Sequence, residues 1–323
     1  LRDHVAGGCP VTVVAVTGAS GFVGSALMAA LPERNCEPRG LFRSAQTPGT
    51  IAVGDIGPDT EWGEALCGVD TVIHCAARVH VMKDDAADPL AEFRRVNTEG
   101  TRRLAQQAAQ SGVKRLVFVS TIKVNGESTQ YPSGSIGKFT ALDTPNPTDP
   151  YAITKWEAEN CLQEIAAGSG LEIVIVRPPL VYGPGVGGNF RSLVDLVRKG
   201  IPLPLGLVDN RRSMVALPNL VDLLVVCATH PDAAGETFLV SDDDDLSTPD
   251  LIRRLARALG RDDRLLPVPP ALLRLAGRLS GNSDKVERLI GSLQVDIRQT
   301  CERLDWRPPV TVDEGLRKTV GAA

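Results

Sequence analysis

Tyr151-Ala-Ile-Thr-Lys155 is the pattern in this chain that most directly suggests chemistry. On a helix, residues i and i+4 share a face, so this spacing brings a phenol and an ammonium together. A neighbouring ammonium stabilises a phenolate, so the pattern predicts a tyrosine of lowered pKa, usable as acid and base near neutral pH. Thirty residues upstream, Ser120-Thr121 closes the apolar run Leu116 to Val119. A hydroxyl at that strand end is expected to face the same cleft and to bind the oxygen whose proton moves. The third pattern is Thr17-Gly-Ala-Ser-Gly-Phe-Val-Gly24, lying between the β-branched run Val11 to Val16 and a stretch of helical composition. Gly18 permits a tight turn, Gly21 lets backbone N–H groups approach a pyrophosphate, and Gly24 lets the helix pack close to the sheet. With Ser20, Phe22 and Val23, the loop reads as the cradle of a dinucleotide at a helix N-terminus.

A carboxylate about twenty residues beyond such a loop would hold the ribose 2′-hydroxyl of NAD. Here the count reaches Phe42, followed by Arg43 and Ser44, so nothing there repels a 2′-phosphate and Arg43 could pair with one. The sequence therefore favours NADP over NAD, with NAD still possible. Asp55, with Ile56 beside it, is the candidate acceptor for the adenine edge.

Positioning these groups requires alternating strands and helices. Buried-strand runs at Val11–Val16, Asp70–Cys75, Leu116–Val119 and Glu172–Val176, with a weaker one at Arg39–Phe42, alternate with helical stretches at Ser25–Arg34, Glu92–Ser111 and Tyr151–Ala167. That is the signature of an α/β fold, a doubly wound parallel sheet covered on both faces, with a smaller C-terminal substrate lobe. The expected division is a dinucleotide-binding domain over 11–180, with strands from about 212–241 returning to it, and a substrate lobe over 181–211 and 242–320. Short helices are predicted at Phe190–Arg198, Pro249–Gly260, Pro270–Leu279 and Ser283–Leu293. The acidic run Asp242–Asp245 is expected to be a solvated loop tip.

Composition limits the alternatives. The 323 residues carry 35 basic and 39 acidic side chains, a net charge of −4, which offers no basic field for nucleic acid. Seven scattered cysteines and four scattered histidines suggest neither a disulfide framework nor a metal site. His74 and Cys75 read as core. His80 lies in a loop near the expected substrate pocket. No apolar stretch is long enough to span a bilayer, and Leu1–Pro10 lack the apolar centre of a signal peptide and read as leader sequence, so a reduced, cytoplasmic protein without membrane insertion is expected.

Together, the loop at 17–24, Ser120-Thr121, Tyr151-x-x-x-Lys155 and Arg177-Pro-Pro-Leu-Val-Tyr-Gly-Pro184 resemble the extended short-chain dehydrogenase/reductases, and more narrowly their nucleotide-sugar epimerase/dehydratase branch. The resemblance runs from residue 11 to about 318. It implies Tyr151 as acid/base, Lys155 on the nicotinamide ribose, and Thr121 orienting the sugar O4. It further implies Ala76, Ala77, Asn97 and Pro178 around the cofactor, and Lys123, Asn189, Arg212 and Arg288 toward a UDP-sugar. The family's usual Arg-Asp-aromatic-x-His run is degraded here to Arg212-Ser-Met-Val-Ala216. A homodimer is implied through the helices near Pro89–Ser111 and Tyr151–Ala167, with Leu104, Ala108, Ala152 and Leu162 as apolar positions that would permit it.

Three chemistries share this scaffold. The dehydratases place Asp-Glu directly after the threonine, where this chain has Ile122 and Lys123, which argues against elimination of water. Phe42-Arg43 tilts the remaining choice toward an NADP-dependent reductase of a UDP-4-keto-6-deoxy-N-acetylhexosamine in surface-polysaccharide biosynthesis. The alternative is a UDP-glucose or UDP-N-acetylglucosamine 4-epimerase. A non-catalytic NADP-sensing protein is the remote alternative, disfavoured because the Tyr–Lys pair is kept.

Overall fold

The computed structural model describes residues 11–44, 50–79, 88–130 and 137–321; His80 lies outside them. Seven strands form one parallel sheet: β1 (Thr12–Thr17), β2 (Cys36–Phe42), β3 (Ile51–Ala52), β4 (Thr71–His74), β5 (Arg115–Val119), β6 (Glu172–Arg177) and β9 (Thr237–Leu239). Their order is β3-β2-β1-β4-β5-β6-β9, and a two-stranded ribbon joins β7 (Leu180–Tyr182) to β8 (Met214–Ala216). Thus β9 returns to the main sheet beside β6, while β8, also within 212–241, pairs outside it. Winding reverses between β1 and β4, and in such a sheet the crevice at the carboxyl ends of the strands opens at that point.

Strand residues alternate between two buried faces, which is why these strands read as continuous apolar runs. Val14 and Val16 point toward helices α1 (Phe22–Ala30) and α7 (Leu217–Thr229), packing with Leu27, Leu220 and Leu224. Ala15, Leu116 and Phe118 point the other way, into a core completed by Leu104, Ala108 and Leu162, with short helix α2 (Gly63–Leu66) at its margin. The second face is built by α3 (Pro89–Phe93), which continues through a π-turn at Arg94–Glu99 into α4 (Gly100–Gln110), and by α5 (Pro150–Ser169). Leu104, Ala108, Ala152 and Leu162 are each 0% exposed within the single chain. They face the core, so they give no support to the expected dimer contact.

A second, smaller C-terminal cluster is built by α6 (Gly188–Arg198), α8 (Thr248–Ala258), α9 (Pro270–Leu279), α10 (Ser283–Ile290) and α12 (Val312–Gly321), whereas α11 (Arg298–Leu304), expected in the same lobe, packs through Leu304 and Cys301 into the main sheet core beside β9. Its core includes Tyr182, Phe190, Leu203, Ile252 and Leu316. The acidic run corrects its expectation. Asp242 is buried, accepting from Tyr182 Oη at 2.7 Å, Ala216 N at 2.8 Å and Asn219 Nδ2 at 2.7 Å. Asp244 pairs with Arg254, and Asp245 with Lys138 and the Ser213 hydroxyl. Three of the four consecutive carboxylates, Asp242, Asp244 and Asp245, meet donors from different segments, and only Asp243 is exposed, which a one-dimensional charge count does not reveal.

Candidate active site

The glycine loop has the geometry its spacing predicted. Gly18 adopts φ +67°, and Gly21 N donates to Gly18 O at 2.8 Å, closing the turn before α1. A Cβ on Gly24 would lie 2.1 Å from Gly18 O, so no larger residue fits without moving the helix. The loop borders a cleft of about 1150 Å³ at the carboxyl ends of the strands. Gly18, Ser20, Gly21, Phe22, Val23 and Gly24 line one part of it, and Arg43, Asp55, Ile56, Ala76, Ala77 and Pro178 line others. The proximity of Gly18 to Ala76, whose N would be 3.0 Å from an added Cβ, leaves a backbone-lined groove of the kind a pyrophosphate requires. These residues fit a dinucleotide.

Thr121 and Tyr151 lie in the same cleft wall. Asp149 caps α5 by accepting from Ala152 N at 2.7 Å, and Pro150 occupies the first turn, so Tyr151 enters the cleft from a fixed helix start. Lys155, one turn on, is 1% exposed, and its Nζ lies 3.8 Å from the Phe118 ring centroid. Burial pushes the Lys155 ammonium down to about 7, partly offset by the Glu159 carboxylate. Tyr151 departs from expectation. Burial, followed by the Asp149 carboxylate, pushes its phenol up to about 12 rather than down. Helical spacing puts Lys155 one turn from Tyr151, but its ammonium lies against the Phe118 face, and the Asp149 carboxylate, not Lys155, acts on the phenol after burial.

Ser120 lines the cleft as expected, but its hydroxyl is already engaged. Its hydroxyl donates to Glu159 Oε1, and Glu159 pairs with Arg177 through Nη2–Oε2 at 2.5 Å and Nε–Oε1 at 3.0 Å. Arg177 also donates to Asn125 Oδ1 at 3.0 Å, and Asn125 donates to Thr140 O at 2.8 Å. Glu159 and Arg177 are 1% and 4% exposed, so this ion pair joins the ends of β5 and β6 to the middle of α5 from inside the core. The sequence reading missed the network. Its signal was available: Tyr151, Lys155 and Glu159 recur at four-residue spacing on one helix face.

The other candidates are dispersed. Asn97, in the π-turn, accepts from Arg78 N at 2.8 Å and donates to Arg78 O at 3.1 Å and Thr154 Oγ1 at 3.2 Å, pinning the cleft wall from behind. Lys123 is committed to Asp149 (2.5 Å) and Glu127 (2.9 Å) and is not among the residues lining the cleft. Arg212 donates to the carbonyls of Arg288 (2.8 Å) and Gly291 (3.0 Å), Arg288 is exposed on α10, and Asn189 stands at the start of α6 beside a smaller apolar pocket of about 290 Å³. Arg43 Nε pairs with Asp55 Oδ1 at 3.2 Å on the cleft rim. His74 bridges Thr17 Oγ1 (2.6 Å) and Thr101 Oγ1 (3.0 Å), and burial holds its imidazole down at about 3, hence neutral.

Residues 14–241 match the NAD dependent epimerase/dehydratase family. The chain belongs to this family. A UDP-glucose 4-epimerase of Vibrio cholerae is 47% identical over 314 residues, covering 96% of this chain and 94% of that protein. The N-acetyl-alpha-D-glucosaminyl-diphospho-ditrans,octacis-undecaprenol 4-epimerase of Escherichia coli O157:H7 is 26% identical, covering 95% and 94%. In fold, the chain resembles the UDP-glucuronic acid 4-epimerase of Bacillus cereus in complex with NAD, with a TM-score of 0.76, 21% identity and 96% coverage of both chains. As a member of this family the chain is a short-chain dehydrogenase/reductase-type enzyme acting on sugar nucleotides.

Proposed function

We propose that the protein is an NAD-dependent 4-epimerase of a UDP-hexose. The observation that carries this reading is Thr121 and Tyr151 sharing one cleft wall with a glycine cradle, above buried Lys155. Ile122 is buried and Lys123 is salt-bridged where a dehydratase needs its acid and base. Thr121 would hold the sugar O4, and Tyr151 would take the O4 proton as C4 is oxidised and return one as C4 is reduced on the other face. When bound, the nicotinamide supplies the hydride acceptor and brings positive charge beside a phenol that burial otherwise keeps protonated. Lys155 would hold the cofactor ribose, and Asn97 keeps the cleft wall in register.

Two observations move the reading from the reductase expected from sequence to the epimerase. Arg43, assigned there to a 2′-phosphate, stands against the Asp55 carboxylate, which would oppose a second anion. The UDP-glucose 4-epimerase at 47% identity spans nearly the whole chain. The test is incubation with UDP-glucose or UDP-N-acetylglucosamine and no added cofactor. Interconversion of C4 epimers, lost by about 10²–10⁴-fold in Tyr151→Phe, supports the assignment. NADPH consumption with a UDP-4-keto-6-deoxy-sugar, without interconversion, would restore the reductase.

A further inference from the structure

Helix α9 is inside out for a solvated surface helix. Its sequence, PALLRLAGRL, buries only Gly277, while Leu273 is half-buried. The close fit against α10 explains the burial, since a Cβ on Gly277 would lie 2.8 Å from Val286 Cγ2. The outward face is entirely apolar: Ala271, Leu272, Leu275, Ala276 and Leu279 are all exposed, Leu279 at 82%. At 3.6 residues per turn these five occupy one stripe about 140° wide, with Arg274 and Arg278 along one edge. The stripe is not isolated. The segment carrying exposed Leu266 is hydrogen-bonded to the loop carrying exposed Leu207, through Leu203 N to Arg264 O and Gly206 N to Leu266 O.

Charge identifies the partner. The chain as a whole carries −4, yet residues 264–288 contain five basic and two acidic residues. A second copy of this chain would bring the same cationic segment against itself, whereas an anionic bilayer is attracted to it. An apolar stripe flanked by arginines is the arrangement of a helix that lies in the plane of a membrane interface. No helix among the described residues is long and apolar enough to cross a bilayer. We infer that the α9 face of the C-terminal lobe docks peripherally on an anionic phospholipid surface, with Leu272, Leu275 and Leu279 entering the acyl boundary and Arg278 at the headgroups, while Arg274 pairs with Glu287 of α10 at 2.9 Å. The adjoining helix α10 ends at the carbonyls that hold Arg212, so docking would bring the substrate lobe to the membrane. The inference does not rest on the reaction proposed above.

The experiment is co-sedimentation of the purified protein with vesicles of phosphatidylcholine alone, or with a quarter phosphatidylglycerol. The wild type is expected to pellet with the anionic vesicles and to be released at about 0.5 M salt, where screening shortens to a few ångströms. Leu272→Ser/Leu275→Ser/Leu279→Ser should bind at least about tenfold more weakly. These side chains are exposed, so an unchanged circular-dichroism melt shows that the triple variant remains folded. Failure of the wild type to bind, or equal binding by the triple variant, would overturn the inference. So would a wild-type dimer in light scattering that the triple variant alone abolishes, since that would assign the face to a second copy.

Discussion

The ion pair between Glu159 and Arg177 provides the sharpest test of how the site is held. Both partners are almost fully excluded from water, at 1% and 4% exposure, and two hydrogen bonds join them. Removing one member of such a pair leaves an uncompensated buried charge, at a cost of about 3–5 kcal/mol. In Arg177→Met, Glu159 keeps only the Ser120 hydroxyl; in Glu159→Leu, Arg177 keeps Asn125. With a urea dependence of about 3 kcal/mol per molar, each single variant should lower the unfolding midpoint by roughly 1–1.7 M. The double variant Glu159→Leu/Arg177→Met buries no charge and should be more stable than either single, because the desolvation cost disappears with the attraction. Trp156, whose ring lies 5.8 Å from the Arg177 guanidinium, offers a local fluorescence probe alongside circular dichroism. Single variants within about 1 kcal/mol of wild type, or a double variant that loses the sum of both, would refute the reasoning.

His74 sets an acid limit on stability. Its folded pKa of about 3 lies below its ordinary value of 6.5, so between these the unfolded chain binds the extra proton. Stability from this group is therefore present above pH 6.5 and is lost as pH falls toward 3, amounting to about 2.5 kcal/mol between neutrality and pH 4.5. Denaturant titrations of wild type and His74→Gln across that range should diverge in slope, and parallel slopes would contradict the assignment. Gly24→Ala should weaken NAD binding about 10–100-fold by calorimetry, because its methyl would overlap Gly18 O and push α1 outward. Asp55→Asn removes the carboxylate beside Arg43 and should raise NADP affinity severalfold relative to NAD, read by competition binding.

The glycine loop, the buried strands and the Tyr151–Lys155 helix were legible because each is a local pattern with a local physical cause. Strand β5 and helix α9 likewise fall within a residue of their predicted limits. What was not legible depends on what surrounds a side chain. Ser120 and Thr121 both line the cleft, yet the Ser120 hydroxyl is committed to a buried carboxylate from α5 while that of Thr121 accepts from Lys123 N. Lys123 follows the motif closely and still turns to Asp149 and Glu127. The apolar positions assigned to a subunit contact are filled by the chain's own core.

The sequence alone determined the fold class, the turn geometry of the glycine loop and the placing of Tyr151 and Lys155 on one helix, since periodicity and glycine spacing act within a few residues. The tertiary structure decided the protonation states. Tyr151 and Lys155 are both shifted toward their neutral forms by burial, in opposite directions on the pH scale, and burial is a property of the whole packed chain. It also brought together the Arg43–Asp55 pair on which the proposed cofactor preference rests, because Asp55 reaches Arg43 across twelve residues only when β2 and the turn after β3 lie side by side.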